Sequence, residues 1–214
     1  PVNKENIMLP IETLTLFLTS CVVLALAPGP DNLFVLAQSA QHGRKAGLIV
    51  TSGLCTGVLV HSAAVTFGVA AIFQTSKMAF TILKYIGAAY LLYLAWMSFQ
   101  ASGKAETNHH VKKLSFRKLY LRGVIMNVTN PKVSIFFLAF LPQFVDPARG
   151  SIVLQMLFLG GLFILSTIWI FGGIAFLAGT FGSWLGRSEK ATKVLNWIAG
   201  SVFVGLALRL IMVN

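Results

Sequence analysis

APGPDNLFVLAQSAQHGRKAG, residues 27–47, opens in the middle of an apolar run that extends from about residue 9 to about residue 40. A run of that length is enough to cross a bilayer, which takes about 20 mostly apolar residues as a helix. Yet it holds Pro28, Gly29, Pro30 and the charged Asp31 near its centre. Proline removes a backbone donor and frees a carbonyl one turn earlier. Broken backbone at membrane depth is tolerated only where protein or a water-filled cavity satisfies it. A second run, at about residues 119–141, carries the same device: Asn130, Pro131 and Lys132, again a proline followed at once by a charge.

Four unbroken apolar runs accompany these two, at about residues 46–73, 78–99, 151–179 and 194–213. The reading is an all-α integral membrane protein of six transmembrane helices, with proline-broken helices one and four. Composition agrees: 56% of the 214 residues are hydrophobic and 11% charged, against about 25% charged in a soluble domain. The first run lacks a basic leading segment and a small-residue cleavage site, so it is expected to stay as a span. Residues 1–214 are expected to form a single membrane domain. Repeat one covers about 9–99, a charged loop covers about 100–118, and repeat two covers about 119–213. Three crossings per half enter the membrane from opposite faces, which makes two like halves an inverted repeat, a common plan of secondary transporters.

The net charge of +11 would suggest nucleic acid in a soluble chain. Here the basic residues sit in the connections, where they set orientation, and no nucleic-acid recognition motif is present. Arg44, Lys45, Lys104, Lys112, Lys113, Arg117, Lys118, Arg122, Arg187, Lys190 and Lys193 share one side; Lys4, Lys77, Lys84, Arg149 and Arg209 share the other. The richer side is expected to be cytoplasmic and both termini periplasmic, in a bacterial inner membrane. Lys84 and Arg209 lie near span ends, where long cationic side chains snorkel. Tyr85, Tyr90, Tyr93 and Trp96 are candidates for interfacial anchors.

Asp31 and Lys132 are the chemistry-bearing pair. An intramembrane charge costs about 2.5–3.5 kcal/mol at mid-bilayer on insertion scales, and such residues mark substrate or ion paths or pair with one another. Helix ends exposed by a break carry partial charges that hold substrate groups. The expected site is therefore at the midplane: Pro28, Gly29, Pro30, Asp31 and Asn32 from one break, Asn127, Asn130, Pro131 and Lys132 from the other. Asp31 suits the ammonium of a zwitterionic amino acid, and Lys132 or a half-helix N-terminus suits its carboxylate. The alternative is that the two charges pair and brace the bundle.

Imidazole as a group titrates near neutral pH, which makes His61, central in the second span, a candidate proton carrier beside Asp31, or a hydrogen-bonded packing residue. Gly53 and Gly57, with Gly160, Gly161, Gly172 and Gly173, suit close helix packing and make a homodimer plausible. Cys21 and Cys55 lie in apolar runs without a CxxC and read as packing residues. His109 and His110 have no supporting ligands for a metal. No cofactor is expected. No phosphate-binding or nucleophile motif is present, which leaves gradient-driven transport rather than an ATP-driven pump or a hydrolase.

The segments APGPDNLFVLAQSAQHGRKAG (27–47), GLCTGVLVH (53–61), KYIGAAYLLYLAW (84–96) and RGVIMNVTNPKVSIFFLAFLPQFV (122–145) together resemble the lysine exporter (LysE/RhtB) superfamily. The resemblance covers nearly the whole chain in the expected order. It implies a six-span bundle, proton-motive export of amino acids or close derivatives, and a role for the regions around Pro28–Asp31 and Asn130–Lys132. The absence of a second intramembrane acid points toward neutral cargo. The other readings are a membrane thiol-redox carrier, which would want a cysteine on span four where this chain has one on span two, and a channel-like or non-transporting membrane partner.

Overall fold

The computed structural model describes residues 9–27, 29–75, 77–101, 114–185 and 189–212, and every regular element among them is helical. In chain order these are α1 (Ile11–Leu26), α2 (Pro30–His42), α3 (Arg44–Thr75), α4 (Lys77–Gln100), α5 (Phe116–Val128), α6 (Pro131–Ile135), α7 (Ile152–Leu185) and α8 (Glu189–Met212). The segments 44–68, 81–100, 152–178 and 192–212, in α3, α4, α7 and α8, are each long and apolar enough to cross a membrane; counting α1 with α2, and α5 with the segment from α6 to Phe144, raises the number to six. The protein is thus a multi-pass membrane protein. Trp169 is 79% exposed and Phe67 70%, a surface that hydrocarbon covers and water would not.

Both breaks fall where the prolines stand. α1 stops at Leu26, and α2 restarts with Gly29 as the preceding extended residue and Pro30 in its first turn. Proline is well placed there, because first-turn N–H groups have no helical acceptor. α5 gives way at Thr129, and α6 restarts at Pro131 behind Asn130, with a bend of 49° between the two arms. α2 ends at Gly43, whose φ of 84° is open to glycine and costly for other residues. This lets the chain reverse within one residue into α3.

After α6 the helix loosens into a π-helical turn, Phe136–Phe140, and then a 3-10 turn, Leu141–Phe144. Pro142 has no N–H for the carbonyl of Leu138, so regular α-helical bonding cannot pass through it. Leu141 instead donates to Phe136, five residues back. The widened turn swings Phe136, Phe137 and Phe140 inward, where they are almost completely buried. They meet Phe17 of α1, Phe144, and Phe163 of α7 in tilted and edge-on pairs, at centroid separations of 4.8–6.3 Å across the cluster. This aromatic layer joins the first broken span to the second.

α3 lies between α5 and α7, α4 packs on α8, and α7 also carries α1 and α2. The α3–α5 crossing is glycine on glycine. A Cβ at Gly123 would run into the carbonyl of Val50 and lie 3.1 Å from Cα of Gly53, and one at Gly57 would lie 2.6 Å from the Asn127 side chain. Of the small residues that the sequence assigns to packing, Gly160 is pressed on Ser62, whereas Gly161, Gly172 and Gly173 have nothing within 4 Å of a built Cβ. Gly123→Leu should therefore separate α3 from α5 and lower the thermal midpoint in detergent by 10 °C or more. Gly161→Leu should leave it within about 2 °C. Equal melting curves for the two would refute the crossing.

Two other expectations shift. Lys84 does not snorkel outward; it is buried, with its ammonium 5.6 Å from the Tyr85 ring centre. Tyr85, Tyr93 and Trp96 face outward as anchors would, while Tyr90 is half-buried. His109 and His110 lie outside the described residues.

Candidate functional site

Where α1 ends, its last carbonyls lose their helical partners. The carbonyl one turn before Pro28 is that of Leu24, and proline at 28 cannot donate to it. Lys132 fills the gap from the other half of the chain. Its ammonium donates to the carbonyls of Leu24 and Ala27, both at 3.0 Å. Asn32 serves the next orphan, donating from Nδ2 to the carbonyl of Ala25 at 2.6 Å. A cation at a helix C-terminus is also favoured by the helix dipole. Gly29 keeps the approach open, since a Cβ there would stand 3.3 Å from the Lys132 Nζ.

Asp31 sits in the first turn of α2, where the dipole favours a carboxylate. It is 4% exposed. Asn130 donates from Nδ2 to Asp31 Oδ2 at 2.8 Å, and its own Oδ1 accepts from the Lys132 backbone N–H at 3.0 Å. One asparagine thus caps α6 and holds the acid of the opposite break. The two breaks are cross-clasped: the basic residue of the second closes the end of α1, and the amide of the second holds the acid of the first. Asp31 and Lys132 make no direct ion pair. The alternative in which the two charges pair with each other is therefore not the arrangement seen; their hydrogen-bond partners are Asn130 and backbone carbonyls.

A cavity opens at the clasp. Asp31, Asn127 and Lys132 line it together with Leu24, Val133 and, from α7, Thr167 flanked by Phe163 and Phe171. It is small, about 20 Å³, room for about one water molecule in the state seen here. Asp31 Oδ1 and Asn127 Oδ1 are both buried and without a partner. Buried polar atoms are ordinarily paired, so two residues that line the cavity each keep an acceptor in reserve for a donor.

The remaining expected residues divide. Gly29, Asn32 and Asn130 support the clasp; Pro30 and Pro131 set the helix starts and are themselves exposed; Pro28 lies outside the described residues. His61 does not line the cavity. Its Nε2 lies 3.1 Å from the backbone carbonyl of Asn127, and its ring stacks on Phe137 at 5.9 Å. It touches the site through the end of α5. Phe163, Thr167 and Phe171 were not singled out from the sequence, though their spacing of four on one apolar run places them on one helix face. Among the described residues no three His, Cys, Asp or Glu side chains converge on a metal position. Cys21 on α1 and Cys55 on α3 are both free.

Two facing broken helices, charges held by freed backbone and a small cavity with a few polar groups on an apolar wall define a membrane translocator built on broken helices. Comparison of the sequence with known families agrees: the chain belongs to the LysE type translocator family, whose model matches residues 22–213. It is a transporter and not an enzyme. It is 32% identical to a homoserine/homoserine lactone efflux protein of Salmonella typhimurium over 188 residues, 88% of this chain and 90% of that one. It is 33% identical to a leucine efflux protein of Salmonella choleraesuis over 207 residues, 91% of this chain and 92% of that one. An uncharacterized membrane protein of Vibrio cholerae serotype O1 is 33% identical over 196 residues, 91% and 94% of the two chains. No solved structure matches the chain.

Proposed function

We propose that this chain exports small neutral amino acids, or close derivatives, across the bacterial inner membrane by exchange with protons. The observation that carries the reading is the set of charged and amide side chains gathered on a mostly apolar cavity wall. Asp31 and Asn127, each with an unpaired side-chain oxygen, line the cavity together with Lys132. A zwitterion supplies what each lacks: an ammonium for the two acceptors and a carboxylate for the third Lys132 N–H, two of which are already engaged. One negative and one positive wall group match a cargo without net charge. The rest of the lining, Leu24, Val133, Phe163 and Phe171 with the single hydroxyl of Thr167, suits an apolar or hydroxylated side chain and offers nothing to a basic one. The efflux proteins named above support the same direction of movement.

For coupling, Asp31 is the group whose proton and whose cargo ammonium compete for one oxygen, so binding either excludes the other. His61 is the second candidate, placed on the Asn127 carbonyl. A six-span arrangement, with each bent pair crossing as one and both termini periplasmic, is supported by the cluster of basic residues Arg44, Lys45, Arg117, Lys118 and Arg122 at the starts of α3 and α5.

The test is a cargo panel in proteoliposomes with and without a pH gradient. Homoserine-, threonine- and leucine-like amino acids should leave loaded vesicles saturably, faster when the outside is acid, and lysine should not. Saturable lysine efflux would overturn the neutral cargo. Flux indifferent to the gradient would overturn antiport. His61→Gln should lower the acceleration by the gradient more than the gradient-free rate; an unchanged acceleration would leave Asp31 alone in the proton role.

A further inference from the structure

Several of the unpaired buried polar atoms lie beyond the cavity, on α2 and α3. In the described bundle the buried hydroxyls of Ser20, Thr51, Ser166 and Thr167 each donate to a carbonyl four residues back, the usual way for a helix to hide a hydroxyl. Ser39, Ser62 and Thr66 could do the same and do not; their oxygens have no partner although the residues are 1%, 5% and 1% exposed. Gln38 is more extreme. It is 0% exposed, and both its amide oxygen and its amide nitrogen are unpaired.

Their levels along the bundle can be read from the helices. α2 reverses into α3 at Gly43, and a Cβ on Gly47 would run into Ser39 Oγ, so Ser39 and Gly47 are level. Eight residues further on each antiparallel helix, Asp31 is level with about residue 55 of α3, and Gly57 indeed packs on Asn127 at the cavity. At about 1.5 Å per residue, Gln38 and Ser39 lie roughly 10–12 Å from Asp31 toward Arg44 and Lys45. Ser62 and Thr66 lie on the other side of the cavity level, toward the far end of α3. His42, one turn beyond Gln38, is half-buried and also has an unpaired ring nitrogen, Nδ1. On α2 the positions 31, 35, 38 and 42 share one face.

We infer that these side chains line the two closed halves of the transport route: Gln38 and Ser39 the half between the cavity and the basic face, Ser62 and Thr66 the half beyond it. An apolar residue at any of these positions would pack without leaving a polar atom unpaired. A polar side chain held unpaired in the closed state has a partner in another state, when cargo or water passes. Gln38 offers both a donor and an acceptor to a zwitterion in transit. Only the identity of the cargo rests on the export reading; the route itself does not.

Two measurements test it. In a Cys21→Ala, Cys55→Ala background, Ser39→Cys and Thr66→Cys are exposed in sealed vesicles to a membrane-impermeant sulfonated thiol reagent applied from one face at a time. Ser39→Cys should react only from the face that bears Arg44 and Lys45, Thr66→Cys only from the opposite face, and the outward-facing control Leu59→Cys from neither. Absence of reaction at both positions, or reaction of both from one face, overturns the route. In the second measurement Gln38→Leu should keep or raise the thermal midpoint while amino-acid efflux falls at least tenfold. Undiminished efflux, or a fall accompanied by a lowered midpoint, removes Gln38 from the route. If the unsubstituted protein moves no amino acid while the two cysteines still react from opposite faces, the cargo assignment fails and the route stands.

Discussion

Lys132→Met is expected to abolish export and to lower stability together. Methionine keeps the length and loses the charge. The carbonyls of Leu24 and Ala27, now taken by Nζ at 3.0 Å, are left without a donor at the end of α1. A buried polar group stripped of its partner costs about 1–3 kcal/mol, and losing a charged, hydrogen-bonded partner for the cargo costs about 2–5 kcal/mol. At 1.36 kcal/mol per factor of ten, flux should fall at least about thirtyfold. The double variant Asp31→Asn, Lys132→Met distinguishes two views of the pair. Were the charges joined as a direct ion pair, removing both would restore much of the stability lost by removing one. In the clasp their first partners are different atoms, so the double variant should melt no higher than Lys132→Met. Recovery of the unsubstituted midpoint in the double variant would show that the carbonyl contacts are incidental.

The second large effect is expected at Asn130, through a change of one atom. Asn130→Asp keeps an oxygen to cap the Lys132 N–H, because aspartate and asparagine cap helices equally well. What it changes is the atom facing Asp31: a donor at 2.8 Å becomes an acceptor, and two carboxylates are placed in contact. Like charges at that range repel strongly in a poorly solvated site. Export should drop at least tenfold. Asn130→Ser, which caps α6 but is too short to reach Asp31, should lose distinctly less. If the aspartate variant transports as well as the serine variant, the bond to Asp31 has no part in holding the site.

The two substitutions bear on different layers of what the sequence discloses. Proline followed by a charge, twice, in runs otherwise fit for hydrocarbon, announces broken helices with an interior purpose, and the structure has breaks at both places. Asn127 was legible for the same reason, as a polar residue near the end of an apolar run. Thr167 was not. It is an ordinary threonine in α7 until Phe163 and Phe171 turn with it toward the clasp. His61 illustrates the opposite error of emphasis. A histidine at mid-span draws attention, yet the rotation of α3 sends its ring against Phe137 and its nitrogen to the Asn127 carbonyl rather than into the cavity. The glycines divide likewise. Gly53, Gly57 and Gly123 meet at a crossing, while Gly161, Gly172 and Gly173 do not, and spacing alone cannot tell them apart.

Hydropathy, proline and the placement of lysine and arginine act within a few residues of where they are written, because solvent transfer and backbone bonding are local. They determined that this chain lives in a bilayer, where its spans run, and where two of them break. Which carbonyl Lys132 takes, which acid Asn130 holds and which faces enclose the cavity join atoms about a hundred residues apart. Those matters depend on how far each helix is rotated and where it crosses its neighbours. Tertiary packing decided them, through glycine contacts, an aromatic layer and a π-helical turn whose combined effect no single segment carries.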